Sequence, residues 1–238
     1  KEVIMDKKIL VVMTNTDHYG DDGEKTGLWL AEATEFVDKV KRNGIKVDYV
    51  SPKGGQVPLD PRSMQKPYAS KKDYAILNSL DFKNRAIKNS LKPADINPEE
   101  YFAIYYTGGH GVLWDFPKNR ELIEIAQNIY NKGGYICSVC HGVVELLNIK
   151  DRNENYLLDG RYITGFTDEE ETLGGKKEKV PYSAEQEAKL KGAKFLKTLP
   201  YTPNAVKCGR LITGQNPMSG KAVARKLIKD LKKRELYL

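Results

Sequence analysis

The 238-residue sequence predicts an α/β fold, a mostly parallel sheet with helices on both faces, from three observations. Near-continuous apolar runs of strand length recur at 7–14, 47–51, 101–107 and 135–139, as strands buried on both faces require. Segments with helical apolar spacing lie between them, and glycines mark where those segments stop. Strand and helix alternate at a spacing that suits parallel pairing rather than hairpins.

In order, Lys7 to Thr14 reads K-K-I-L-V-V-M-T and predicts the first strand, followed by an Asp- and Gly-rich loop through His18 to Gly23. From Thr26 to Asn43 the apolar residues Ala33, Phe36, Val37 and Val40 fall on one helical face, Lys41 and Arg42 suit the C-terminal end, and Gly44 suits the cap. Val47 to Ser51 supplies the next strand. Between Pro52 and Pro98 the chain is punctuated by Pro58, Pro61, Pro67 and Pro93, and only the charged piece from Leu80 to Leu91 reads as helical. A stretch of that length between core elements is expected to be an inserted cap over the site.

Tyr101 to Thr107 predicts another buried strand, ended by Gly108-Gly109-His110-Gly111. Asp115 and Pro117 open a helix whose apolar face holds Leu122, Ile125, Ala126 and Ile129, closed by Gly133 and Gly134. Beyond the strand at Tyr135, Tyr156 to Thr164 predicts a hairpin turning at Asp159-Gly160, and Gly165 to Gly175 an acidic turn or short helix. A strand at Ala205 to Cys208 is followed by Arg210 to Gly214, and Val223, Leu227 and Leu231 stripe a final helix. One domain is expected over 1–238, with 1–6 read as a tag or disordered start and 52–98 as the inserted cap.

Composition narrows the function classes. Hydrophobic content of 40% with 30% charged residues fits a soluble globular chain with one large core, two small domains being the alternative. The formal charge is +7, but its densest run, Lys221 to Arg234, has apolar residues interleaved as on a solvated helix face, which argues against a nucleic-acid partner. No stretch approaches the roughly 20 apolar residues of a membrane span and nothing at the start reads as a cleavable signal, so no membrane partner and a cytoplasmic location are expected. Three cysteines argue against a disulfide framework and fit a reducing compartment.

The chemistry centres on Tyr135 to Leu147, Y-I-C-S-V-C-H-G-V-V-E-L-L. An apolar strand ends at Cys140, His141 and Gly142 follow at once, and an apolar segment able to be helical continues. A sharp strand-to-helix turn lifts a nucleophile above the sheet beside the positive end of a helix, so Cys140 is the candidate nucleophile. Cys137 and Cys140 form a C-x-x-C, but on an extended run their side chains have opposite parity, which separates the sulfurs and leaves Cys137 as a core residue. His141 can orient or deprotonate the thiol, and its backbone N–H, with the loop at Gly108 and Gly109, offers an oxyanion hole. His110 can support that loop or bind a metal. With only His18, His110 and His141 present and no H-E-x-x-H, no dedicated zinc site is expected.

Four motifs then stand in order: Thr26-Gly27 with Glu32 five residues after Gly27, the Gly-Gly-His-Gly loop, the V-C-H-G elbow, and I-T-G-F-T-D-E-E-E. Together they resemble the ThiJ/PfpI superfamily, related in fold to class I glutamine amidotransferases, and within it the glutathione-independent glyoxalase (glyoxalase III) and heat-shock chaperone branch. The resemblance spans Lys8 to about Lys226. It implies a flavodoxin-like sheet with a nucleophile elbow, Glu32 placed against the Cys140 thiol, and Glu171 as the acid that orients His141, a one-residue slip choosing Glu170 instead. A charge between Ala31 and Ala33 on a largely apolar helix start is itself unusual, and burial beside the thiol would raise the pKa of Glu32.

The activity implied is attack of Cys140 on methylglyoxal or glyoxal, a hemithioacetal, proton movement by Glu32 and His141 through an enediol-like intermediate, and release of D-lactate or glycolate. The resemblance implies no metal, nucleotide, glutathione or other cofactor, and a homodimer. Two other readings stay open: a holdase chaperone for unfolded client proteins, and a cysteine hydrolase acting as peptidase or amidase.

Overall fold

Apolar runs at the expected positions pair into one sheet in the computed structural model, which describes residues 8–21 and 23–236. The expected tag or disordered start at 1–6 lies outside the described residues. Along the chain come β1 (Lys8–Val12), α1 (Leu30–Lys41), β2 (Val47–Val50), α2 (Lys71–Asn78), β3 (Tyr101–Tyr106), α3 (Val112–Asp115), α4 (Arg120–Asn131), β4 (Tyr135–Val139), β5 (Tyr162–Ile163), α5 (Asp168–Leu173), α6 (Ala184–Leu190), β6 (Lys194–Phe195), β7 (Ala205–Cys208), β8 (Leu211–Gly214) and α7 (Gly220–Leu236).

The main sheet has the order β2-β1-β3-β4-β8-β7, parallel throughout except for the antiparallel β7–β8 pair at one edge. Alternate residues serve two cores. Ile9, Val11, Tyr105 and Cys137 pack with residues of α1 and α7, while Leu10, Val12, Ile104, Tyr106 and Ile136 pack with α4 on the other face. The Phe36 ring stacks on Tyr105 at 3.7 Å between centroids, joining α1 to the centre of the sheet. The chain turns outward from β1 to β2 on one side and reaches β3 on the other, so the loops after β1, β3 and β4 meet where such sheets bind ligands.

Several expectations are corrected. Tyr156 to Thr164 is not a hairpin: Tyr156 bridges Lys150, and Tyr162–Ile163 pairs in parallel with Lys194–Phe195. The turn at Gly160 exists, with φ at 70°, but the residues after it find their partner far along the chain. The charged piece expected to be helical within Leu80 to Leu91 is helical, as a wider π-helix over Phe82–Lys88, and α2, capped by Ser70, precedes it without having been anticipated. α4 starts at Arg120, where the Asn119 side chain accepts the Leu122 N–H at 3.0 Å. α6, A-E-Q-E-A-K-L, has too little apolar periodicity to be read in advance, and the Ser183 cap starts it.

The 52–98 stretch is tied to the core by bridges Leu28 to Leu59 and Val50 to Leu91. Its Asp60 is fully buried and accepts the Thr26 hydroxyl at 3.0 Å, and its Asp73 accepts the Thr34 hydroxyl at 2.6 Å. These bonds hold the segment against the start of α1.

Candidate active site

Cys140 follows the last residue of β4 with φ at 57°, a left-handed conformation that costs a non-glycine residue roughly 1 kcal/mol or more. The chain then enters a 3-10 helix over Cys140–Asn148 rather than an α-helix. Gly142 permits the sharp turn: a Cβ there would lie 2.4 Å from the Tyr106 carbonyl oxygen. The thiol is almost wholly buried. Burial raises its pKa well above the ordinary value, the Glu32 and Glu170 carboxylates add to that, and the His141 backbone N–H acts the other way.

His141 stands beside it, with Nδ1 3.5 Å from Cys140 Sγ and Nε2 2.6 Å from Glu171 Oε2. Glu171 is on α5, and neighbouring helix residues point about 100° apart, so only one of the consecutive glutamates can face the histidine. Glu170 points elsewhere. One of its oxygens accepts from Thr167 and Gln215 Nε2, the other from the Tyr201 N–H and Asn216 Nδ2. Burial pushes Glu171 up, but the electrostatic pull of His141 and His110 and the hydrogen bonds they donate outweigh it and hold the carboxylate well below the usual range.

Glu32 enters from the first turn of α1 and is fully buried. The Gly108 N–H donates to its Oε2 at 2.6 Å, which removes Gly108 from the donors open to a substrate oxygen. Among the described residues its Oε1 has no hydrogen-bond partner, and the Cys140 thiol is a neighbour with which the carboxyl interacts. Burial pushes Glu32 up to about 8, against the pull of that thiol and of the Gly108 N–H. The Gly109 N–H has no acceptor among the described residues, and a Cβ at Gly109, with φ at 101°, would lie 1.9 Å from the Gly27 carbonyl oxygen.

A cavity of about 240 Å³ opens over Cys140, walled by Trp29, Arg62, Tyr68, Phe166 and Tyr201. Cys137 is a buried free thiol in the core and His18 lies half-buried on the loop after β1. His110 also faces the cavity, and its Nε2 is 2.5 Å from Glu171 Oε1. The His110, His141 and Glu171 donor atoms lie within 4.8 Å of one another, close enough for a cation, but both histidine Nε2 atoms are already closed onto the carboxylate. The residue pattern brought Cys140 and His141 to this place and the family resemblance Glu32 and Glu171, while Arg62, Tyr19 and the bond from His110 to Glu171 were missed.

Residues 26–230 match the model of the DJ-1/PfpI family. The chain belongs to the DJ-1/PfpI family. Among its relatives in that family, the glutathione-independent glyoxalase HSP31 of Saccharomyces cerevisiae is 34% identical over 95% of this chain and 98% of that protein. Glyoxalase 3 of Candida albicans is 31% identical over 93% of this chain and 97% of its own length. In structure, the Rapid Encystment Protein 24 KDa of Francisella tularensis superposes with a TM-score of 0.90 at 36% identity, covering 94% of this chain and 99% of that one. Glyoxalase III from Candida albicans superposes with a TM-score of 0.85 at 30% identity, covering 94% and 96%. The ThiJ/PfpI resemblance read from the four motifs and the parallel α/β fold are both borne out. No helix among the described residues is long and apolar enough to cross a membrane.

Proposed function

We propose that this DJ-1/PfpI family chain is a glutathione-independent glyoxalase of the glyoxalase III, D-lactate dehydratase type, acting on methylglyoxal and glyoxal. The observation that carries the reading is the buried Glu32, one oxygen fixed by Gly108 and the other unpartnered, in the surroundings of the Cys140 thiol. Its relatives' activity, named for glutathione-independent glyoxalases, supports the same conclusion.

The chemistry balances without an external oxidant. Cys140 Sγ adds to the aldehyde carbon of methylglyoxal, its proton passing through His141 Nδ1 to the aldehyde oxygen, and gives a hemithioacetal. Glu32 Oε1 takes the proton from that carbon to form an enediolate and returns it to the neighbouring carbon, while the hydroxyl proton on the first carbon's oxygen passes to the second carbon's oxygen. The first carbon is thereby oxidised to a thioester while the second is reduced to an alcohol. Water hydrolyses the thioester, releasing D-lactate and restoring the thiol. The Gly109 and His141 N–H groups are the donors assigned to the oxyanions. A carboxylate with a raised pKa is a stronger base for the carbon-bound proton than an ordinary glutamate.

Acyl transfer by a cysteine hydrolase would use the same thiol and donors, but it has no need of a buried, high-pKa glutamate at the thiol. The 52–98 segment acts as the cap, contributing Arg62 and Tyr68 to the cavity wall. A homodimer, a cytoplasmic location and a holdase role toward unfolded clients belong to the same family reading and rest on resemblance alone. D-lactate formation from methylglyoxal without glutathione, in wild type beside Cys140→Ala and Glu32→Gln, tests the mechanism. Both variants are expected to lose it, and undiminished consumption by Cys140→Ala would overturn the proposal.

A further inference from the structure

We infer that His110 is a positioning residue, held by Arg62 in a single tautomer, that fixes Glu171 and through it leaves the His141 lone pair facing the Cys140 thiol. The inference deepens the proposed function and rests on its assignment of Cys140 and His141.

A guanidinium can donate hydrogen bonds but not accept them. Arg62 Nη2 lies 2.8 Å from His110 Nδ1 and 2.6 Å from the Tyr19 hydroxyl, which is itself 2.7 Å from the same Nδ1. A proton on Nδ1 would face the arginine N–H donor to donor, so Nδ1 is the acceptor and His110 is neutral. Arg62 is not free to turn away. Its Nη2 pairs with the buried Asp60 at 3.2 Å, and its guanidinium lies 5.6 Å from the centre of the Trp29 ring. Burial, with the neighbouring His141, also keeps His110 uncharged, lowering its pKa to about 4.

With Nδ1 bare, the His110 proton sits on Nε2 and is donated to Glu171 Oε1 at 2.5 Å. Glu171 then has one oxygen left for His141, and it accepts the Nε2–H there at 2.6 Å. The remaining nitrogen of His141, Nδ1, is therefore unprotonated, and it is the atom 3.5 Å from Cys140 Sγ. Each step removes one alternative from the next. Without the His110 donor, Glu171 can rotate and His141 can carry its proton on Nδ1, where it cannot accept from the thiol. The inserted segment thus reaches the nucleophile through Arg62, by way of two histidines and one carboxylate.

The chain has three histidines, so 15N-histidine NMR at neutral pH resolves the question in the wild-type protein. The expected spectrum shows His110 and His141 each with a protonated Nε2 and a bare Nδ1; a protonated Nδ1 on His110, or fast averaging of its tautomers, overturns the inference. Two variants add a functional readout. His110→Gln keeps an amide N–H near the position of Nε2, whereas His110→Asn holds its amide near Nδ1 and leaves Glu171 without that donor. Alkylation of Cys140 by iodoacetamide and methylglyoxal turnover are both expected to be at least about tenfold slower in His110→Asn than in His110→Gln, the effect of one charge-assisted hydrogen bond. Equal rates would sink the relay. Alkylation does not depend on glyoxalase chemistry, so a protein with the expected tautomers and alkylation rates that forms no D-lactate refutes the glyoxalase reading and leaves the relay standing.

Discussion

The Gly108 N–H donates to Glu32 Oε2 at 2.6 Å, so the loop after β3 is fastened to the first turn of α1 by the carboxyl proposed as the proton shuttle. One oxygen anchors and the other is left free. The arrangement costs stability, because an ionised carboxylate is disfavoured where water is excluded.

That cost has a sign and a pH window. Glu32 titrates near 8 in the folded chain against an ordinary value of 4.5, so between these pH values the native state holds a proton that the unfolded state has released. Stability from this group therefore falls as pH rises from 4.5 toward 8. Glu32→Gln, which still accepts from Gly108, is expected to stabilise the protein at neutral pH by on the order of 2 kcal/mol, measured by urea unfolding, while reducing turnover by about 100-fold or more. In the wild type kcat/KM should rise with pH through about 8, since the shuttle starts as a carboxylate. An unchanged profile in Glu32→Gln would remove Glu32 from the chemistry.

Glu145 carries a similar cost with no role in the site. It is fully buried on the elbow helix, and neither carboxyl oxygen has a hydrogen-bond partner among the described residues. Burial, with Asp115 nearby, raises its pKa well above the ordinary value. The proton is held in the folded state only, so the cost grows as pH rises above 4.5. Glu145→Leu is expected to stabilise the chain by about 1–3 kcal/mol at neutral pH, with the gain shrinking toward pH 4.5, and to leave turnover within about twofold. Urea midpoints across that range check it.

How much of this was legible depends on sequence distance. The buried strands at Tyr101 and Tyr135 were readable because both faces are covered, so each is a continuous apolar run. Cys140 showed itself by its place before His141 and Gly142, whereas Glu32 came from the family resemblance, its place between Ala31 and Ala33 being only a supporting oddity. His110 offered no such clue to its role. Its partners Tyr19, Arg62 and Glu171 lie 91, 48 and 61 positions away, and no local spacing carries that information. The parallel pairing of β5 with β6 was hidden for the same reason, while the local turn at Gly160 was correctly placed.

Glu170 and Glu171 separate stability from activity on consecutive residues. Glu170 accepts from Thr167, Tyr201, Gln215 and Asn216, and so holds α5 and the Tyr201 wall of the cavity. Glu170→Ala strands those donors and should cost roughly 3 kcal/mol. Glu171→Gln should be milder in unfolding and reduce kcat by about 100-fold or more, because it disturbs the tautomer of His141. Glu171 also carries an acid sensitivity: its lowered pKa gives stability that is present above 4.5 and lost as pH falls below it, and the Gln variant should lack that loss. The reverse pattern would move the acid role to Glu170.

Gly109 ties the oxyanion assignment to backbone geometry. Its φ of 101° is strained for any other residue, and a Cβ would meet the Gly27 carbonyl oxygen at 1.9 Å, which only backbone movement can relieve. That movement displaces the N–H assigned to the substrate oxygen, so Gly109→Ala should reduce kcat by about 100-fold or more. Gly44→Ala is the matched control. It also has positive φ, at 77°, but a Cβ there meets nothing within 4 Å, and it should cost about 1 kcal/mol of stability with turnover unchanged. Circular dichroism melts beside D-lactate assays separate the two effects. A Gly109→Ala protein that is folded and as active as Gly44→Ala would show that the loop after β3 supplies no donor to the reaction.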